Sequence, residues 1–382
     1  MTSRERVVAA LNHTEPDTVP IEMEATVGFY NKLRAYLHLK RDLNPKIGIW
    51  TEVPCDTDML RMLGLDIVRV GPNPPKTWQP AILPDGSFTD EWGVVYKKTY
   101  YGKDGGYYNE RVKHPLENAT VDDLNRYPWP DPEDESRVSR LREKVKNLFE
   151  NTDFAIMLTS FGALFETAEY MRGQEQWLMD LILNPNFAHA LLDKLCTIEL
   201  KVDKLVLEAA GKYVQIFHVG GEDLGAQNGP LISPQTYRDI VKPYHRRRWT
   251  AARKLFKQIN PQGKIALHSC GSIYSFIQDF IDCGIEMLDP IQPFAKGMES
   301  SRLKKEFGDR LTFNGAIDIQ RILPFGTTVD VKNEVKSKIA DLAPGGGYIL
   351  RAAHYIPDDV PPENFMAMIE AAKEYGKYPL EL

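Results

Sequence analysis

The chain has 382 residues, is 43% hydrophobic and 26% charged, and carries a formal net charge of −6. This is enough apolar material for a large core, and the charge argues against nucleic acid or an anionic membrane surface as the main partner. No apolar run approaches the roughly 18 residues needed to cross a bilayer. The opening MTSRERVVAALNH lacks the apolar region of a signal peptide, and the four cysteines (Cys55, Cys196, Cys270, Cys283) are few and irregularly spaced. A reduced, soluble, cytoplasmic protein is expected.

In chain order, the sequence opens on an amphipathic helix with Thr2 and Glu5 at capping-box spacing. Short apolar runs then recur: VPIEM (19–23), DIVRV (66–70), FAIMLT (154–159), VQIFHV (214–219), KIALHS (264–269), EMLDPI (286–291), LTFNG (311–315) and YILRA (348–352). Helical periodicity fills 164–183, 186–209, 234–258, 273–283, 328–342 and 362–375, with Ser233-Pro234 marking one helix start. About eight strands alternating with helices imply a parallel sheet closed into a (β/α)₈ TIM barrel, a single domain over 1–382. Residues 76–130 break the rhythm. Turn signals at Asp85-Gly86 and at 103–106, flanked by aromatic and β-branched residues, predict a β-hairpin insertion after an early strand. It ends in the proline-rich RYPWPDPED, expected to be irregular. Such an insertion would serve as a lid or partner surface, or as a plain packing flap.

Function in this architecture collects at the C-terminal ends of the strands. Polar residues stand there in succession: His218 and Glu222-Asp223, then His268 and Cys270, Asp289 and Gln292, Asn314 and Asp318, and His354. His268 and Cys270, two apart at a strand end, share a face. Imidazole and thiolate together suit Zn²⁺. A third ligand would come from His354, ranked first, or from Glu222. Taken alone, an H-x-C pair is more often a satisfied buried histidine beside an inert cysteine. The other polar ends have plain readings too: Glu222-Asp223 as acceptors of loop amides, Asp223 or Ser233 as a helix cap, Asn314-Gly315 as a turn, His218 as structural. Arg246-Arg247-Arg248 reads as a solvated helix face. Tyr100, Tyr101, Tyr107 and Tyr108 would either line an aromatic substrate site, Tyr107 being the one assigned to substrate binding, or pack the flap.

These motifs resemble a family. TSRERVVAALNHTEPDTVPI (2–21), GPLISPQTYRDIVKPYHRR (229–247), HSCGSI (268–273), FNGAIDIQ (313–320) and GGGYILRAAHYIPDDVPPENF (345–365) are similar to the uroporphyrinogen decarboxylase superfamily. The resemblance spans nearly the whole chain and implies the same (β/α)₈ barrel. True uroporphyrinogen decarboxylases are cofactor-free and carry an early R-Q-A-G-R-type segment and an S-D-I-type aspartate that bind the acidic tetrapyrrole. Here the corresponding stretches read EMEATVGFYNK (22–32) and RVGPNPP (69–75). The corrinoid-dependent methyltransferases of the superfamily instead bind zinc through an H-x-C motif and a later cysteine. This sequence keeps His268 and Cys270, but shows Ala353-His354 where those enzymes have glycine-cysteine.

The resemblance therefore implies a zinc-dependent methyltransferase moving a methyl group between a small molecule (a methyl ether, amine or thiol) and a separate corrinoid protein. No D-x-H-x-x-G segment is present to ligate cobalamin within this chain, so the corrinoid would arrive on its partner. His268, Cys270 and His354 would hold zinc. Glu222, Asp289, Asn314 and Asp318 would act in catalysis, with Gln292, Asp223 and Tyr107 on the substrate. The alternatives are a metal-free lyase acting on a carboxylated substrate through Asp223 or Asp318, and a non-enzymatic corrinoid or tetrapyrrole carrier.

Overall fold

The computed structural model describes residues 1–39, 56–78, 82–101, 106–160 and 162–381. Cys55 and the hairpin turn at 103–105 lie outside these residues.

The strands are β1 (Ile67–Val70), β2 (Phe88–Thr89), β3 (Val95–Tyr101), β4 (Gly106–Lys113), β5 (Ala155–Thr159), β6 (Ile216–Gly221), β7 (Gly225–Ala226), β8 (Gly229–Pro230), β9 (Lys264–His268), β10 (Met287–Ile291), β11 (Thr312–Ile317) and β12 (Tyr348–Ala352). Seven of them form one parallel sheet in the order β1-β5-β6-β9-β10-β11-β12. The eighth expected strand, 19–23, is not a regular strand but fills the eighth place. Leu350 N donates to Pro20 O (2.8 Å) and Glu22 N to Leu350 O (2.9 Å), while on the other side Asp66 N donates to Ile21 O (2.9 Å). The segment thus joins β12 to the start of β1 and closes the TIM-barrel ring. Proline at 20 removes a donor and keeps the segment short.

Strand side chains alternate between two apolar cores. Ile67, Met157, Ile216, Ala266, Met287 and Ile349 point into the barrel, where Val7 and Leu11 of helix Ser3–Leu11 meet them. That helix carries the expected Thr2/Glu5 capping box. Outward-facing residues such as Phe217, Leu267, Leu288 and Phe313 pack against the surrounding helices in the larger core.

The helices follow the periodicity, with interruptions. Residues 164–183 split into Phe165–Arg172 and Gln174–Leu183 at Gly173, whose φ of 87° ends the first helix. Between Ser233-Pro234 and Ile259 the backbone passes through a π-helical stretch, Tyr237–Val241. The arginine run is solvated at Arg246 and Arg247 but not at Arg248. Arg248 is fully buried, donating to Asp203 (2.8 and 3.0 Å) and to Gly162 O (3.0 Å), because its helix packs that side against helix Pro185–Ala210.

The insertion is a three-stranded antiparallel sheet, β2-β3-β4, anchored by buried Phe88, Val94 and Tyr96. The proline-rich segment after it packs Trp129 against Trp92 and Tyr127. No helix among the described residues is long and apolar enough to cross a membrane.

Candidate active site

The site is built where β6 and β9 end. The two strand ends are tied together: Glu222 N donates to His268 O (2.8 Å), Ser269 Oγ to Glu222 O (2.6 Å), and Ser269 N to Asp289 O on β10 (2.8 Å). The chain then turns at Gly271 (φ 78°). A Cβ there would stand 2.3 Å from Gly225 O, so only glycine lets this loop lie against the short β7-β8 ribbon. The turn presents Cys270 to a cleft of about 350 Å³ whose lining also includes Gln227, Gln292, Asp318 and His354.

Asp223, His268 and Cys270 converge at this point, each partly exposed, with one potential ligand atom apiece, all within 4.8 Å of one another. Asp223 Oδ1 accepts from Cys270 N (2.9 Å) and lies 3.5 Å from His268 Nε2. The electrostatics are mutual. Burial alone would raise the Asp223 carboxyl, but His268 and the Cys270 amide hold it well below the usual range. Burial likewise opposes charge on His268, but Asp223 and then Cys270 outweigh it and favour the imidazolium. The Cys270 thiol is pushed up, chiefly by burial. Imidazole nitrogen, thiolate sulfur and carboxylate oxygen are a zinc donor set, and three such ligands leave a fourth position open. The trio therefore fits that ion.

His354 lines the same cleft, its ring centroid 5.5 Å from that of His268, but stands outside the converging trio. Burial, then the neighbouring His268, lowers its pKa to about 4. Glu222, the other expected third ligand and a proposed catalytic acid, is turned away. Its carboxylate accepts the backbone amides of Leu164 (2.6 Å), Phe165 (2.8 Å) and Glu166 (3.3 Å), and His245 Nε2 sits 3.1 Å from it. It anchors the start of helix Phe165–Arg172.

The other expected catalytic residues divide in the same way. Asp318 lines the cleft, while its carboxylate accepts from the amides of Gln320, Arg321 and Ile322. Asn314 is buried and donates to Glu22. Asp289 is fully buried between Arg69 (3.0 Å) and Arg351 (2.8 Å), with His218 at 3.5 Å. Burial opposes its charge, but Arg351, Arg69 and His218 hold it well below the usual range. Gln292 lines the cleft, accepts from Gly271 N (2.8 Å) and donates to Gln227 (2.8 Å). Tyr107 does not line the cleft. It lies on the hairpin beside Tyr100 (6.0 Å between centroids), with Lys98 Nζ 4.3 Å from its ring.

With this geometry in view, the relatives are informative. The sequence pattern of the Uroporphyrinogen decarboxylase (URO-D) family matches residues 107–375. The chain belongs to the URO-D family. The match takes in every residue of the trio and His354, and makes the protein an enzyme of the URO-D superfamily. A uroporphyrinogen decarboxylase of Geobacter metallireducens is 24% identical over 258 residues, covering 66% of this URO-D chain and 69% of its own. A methylated-thiol–coenzyme M methyltransferase of Methanosarcina mazei is 26% identical over 253 residues, covering 64% and 61%. Among solved structures, a methyltransferase from Methanosarcina mazei superposes with a TM-score of 0.64 at 19% identity, covering 98% of this chain and 99% of its own. That likeness is one of fold.

Several residues of this URO-D site escape sequence reasoning. Arg69 and Arg351 bind Glu22, Glu24 and Asp289 in a buried cage beneath the site. A signal for both exists: each is a lone charge inside an apolar strand, IVRV and YILRA. Glu166, on the first turn of helix Phe165–Arg172, accepts from Tyr170 Oη and is held near 8 by burial and then by Asp223. Arg111 of the hairpin lies over the Tyr170 ring at 3.9 Å, which links the insertion to the site. Nothing in the helical periodicity separates Glu166 from the ordinary acidic residue of a helix's first turn.

Proposed function

We propose that this URO-D family member is a zinc-dependent methyltransferase that moves a methyl group between a small molecule and a separate corrinoid protein. The observation that carries the reading is the convergence of Asp223, His268 and Cys270 at the mouth of the barrel beside an open cleft. The methyltransferase named among the curated relatives supports the class of reaction. A zinc ion bound through one thiolate would be strongly Lewis-acidic and would polarise the heteroatom that bears the methyl group.

The chain's own residues do the rest. Asp223, fixed by the Cys270 amide, would offer its carboxylate oxygen as the third ligand beside His268 and Cys270. Gln292 fixes the Cys270–Gly271 loop through the Gly271 amide. His354, held neutral by burial and by His268, leaves a lone pair rather than a charge at the cleft wall. The corrinoid would approach from the open side of the cleft, with the β2-β3-β4 sheet as a docking surface.

The test is metal quantification on chelator-free protein, followed by mixing with Co(I)-corrinoid protein and a panel of methyl ethers, methylamines and methyl thiols. About one zinc per chain is expected, lost in Cys270→Ala and His268→Ala while the fold persists. Growth of methyl-Co(III) absorbance is expected with one donor class. Metal-free wild type, or no corrinoid methylation across the panel, overturns the proposal.

A second reading, a metal-free carboxy-lyase, is favoured by one observation: several of the curated relatives are named uroporphyrinogen decarboxylases. Against it stands the commitment of the barrel-mouth arginines, Arg69 and Arg351, to internal carboxylates. Formation of coproporphyrinogen from uroporphyrinogen under anaerobic, reducing conditions would reinstate it.

A further inference from the structure

We infer that the cleft beside Cys270 selects an uncharged, hydrogen-bond-accepting methyl compound and rejects anions. The inference rests on the methyltransferase reading for the word methyl; the charge selection itself stands on the lining. Among the described residues no lysine or arginine lines the cleft, whereas Asp318 does, and Asp223 lies directly behind Cys270. The two inner guanidiniums are already spent on three carboxylates. Arg69 meets Glu22 (2.6 Å), Glu24 (3.0 Å) and Asp289 (3.0 Å), and Arg351 meets Glu24 and Asp289 (both 2.8 Å). Lys296 and Arg321 flank the opening but are exposed, and Arg321 turns its guanidinium over the Phe294 ring at 4.9 Å. His268 stands 3.5 Å from Asp223, so the imidazole offers no unpartnered cation.

What the lining offers instead is a ladder of primary amides. Gly271 N donates to Gln292 Oε1 (2.8 Å), Gln292 Nε2 to Gln227 Oε1 (2.8 Å), and Gln227 Nε2 to the Phe294 carbonyl (2.6 Å). The ladder fixes which end of each amide faces which neighbour. A side-chain amide has two N–H groups, and the ladder uses one of each. The second N–H of Gln292 and of Gln227 is left for an acceptor in the cleft. Neutral oxygen suits such donors. A carboxylate or sulfonate would meet the carboxylates of Asp318 and Asp223 in a partly dry site with no cation to balance it, which is costly.

Cys270 is a built-in probe of that field. Iodoacetamide and iodoacetate are nearly isosteric and are attacked at carbon by the same thiolate with loss of iodide, so the ratio of their rates cancels the thiol's own reactivity. On metal-free protein, with the Cys270 peptide followed by mass spectrometry, the amide-to-acid ratio should exceed that of N-acetylcysteine amide by about tenfold or more. Gln227→Lys should narrow the excess severalfold, and unfolding in urea should abolish it. A ratio near the reference value, or failure of iodoacetamide to reach Cys270 at all, overturns the inference. Zinc enters only in a separate arm, where protection of Cys270 by added zinc tests the metal site, so the two can fail independently.

Discussion

Two groups of charged residues sit within one barrel mouth and are built on opposite principles. The cage beneath the site (Arg69, Arg351, Glu22, Glu24, Asp289) is closed: its guanidiniums are bracketed by carboxylates and most of its members are buried. The trio above it (Asp223, His268, Cys270) is open, partly exposed and held by few internal contacts. Closed ion pairs fix geometry at the cost of desolvation, and removing one partner strands the others. Open ligand sets leave capacity for something else to bind. The cage makes the strand ends rigid, and the trio uses that rigidity.

The comparison can be broken at the cage first. Arg351→Met should leave Arg69 alone against Glu22, Glu24 and Asp289 in a largely dry interior and cost about 3–5 kcal/mol, read by urea denaturation. A loss below about 1 kcal/mol would show that water or relaxation solvates the cage, and the closed description would fall.

A second closed network sharpens it. Arg248 is shared by Asp203 and Glu199, and the two carboxylates compete for one cation. Burial, only partly offset by Arg248, lifts Glu199 to about 8. A carboxyl whose folded pKa lies above its unfolded value near 4.3 gives stability that is full below that value and is lost as pH rises through 8. Unfolding free energy should therefore fall between about pH 5 and 8. Glu199→Gln, which mimics the protonated form, should flatten that slope. An unchanged slope in the variant would assign the dependence to other groups.

At the open trio the expected effect on stability is small. Asp223→Asn should change unfolding free energy by no more than about 1 kcal/mol, because both its partners keep access to water. The same variant should weaken zinc retention in equilibrium dialysis, so the two readouts move apart. A large stability loss with unaltered zinc would make Asp223 part of the scaffold.

The smallest effect belongs to the hairpin. Arg111→Ala removes a cation–π contact with Tyr170 and should cost about 0.5–1 kcal/mol. Faster hydrogen exchange confined to β3 and β4 would register it, and exchange spreading into helix Phe165–Arg172 would show tighter coupling than the contact implies.

The barrel was legible because buried parallel strands are short apolar runs between helices, as FAIMLT and KIALHS are. His268 and Cys270 were legible because their spacing on a strand end puts them on one face. Asp223 was placed among the substrate groups, because only the turn at Gly271 shows its oxygen reaching the Cys270 amide. Glu222 turns away from the cleft for a related reason. Adjacent residues at a strand end point oppositely, so one meets the cleft and the other the helix behind it. Arg248 was misread because a run of three arginines looks like solvent, and only the packing of two helices shows that the third turns inward. Helices Val27–Tyr36, Leu141–Asn151 and Ser300–Phe307 lie outside the helical stretches read from the sequence, although each buries one face of three or four side chains.

Ring closure between Pro20–Glu22 and Leu350 has a consequence for how the protein is made. On the ribosome, the segment that seals the barrel is synthesised before every strand of the sheet, but its partner strand is the last of them to emerge. Until then β1 and the newest strand are both unsealed edges, with apolar faces turned toward an unfinished interior. Open edges of parallel sheet invite pairing with other chains, and such long-range closure is slow. Translation speed over the stretch that encodes β10 to β12, and chaperone supply during it, should therefore govern soluble yield more than the final stability does. Helix Ser3–Leu11 must wait just as long, because Ile349 is part of the interior that receives it.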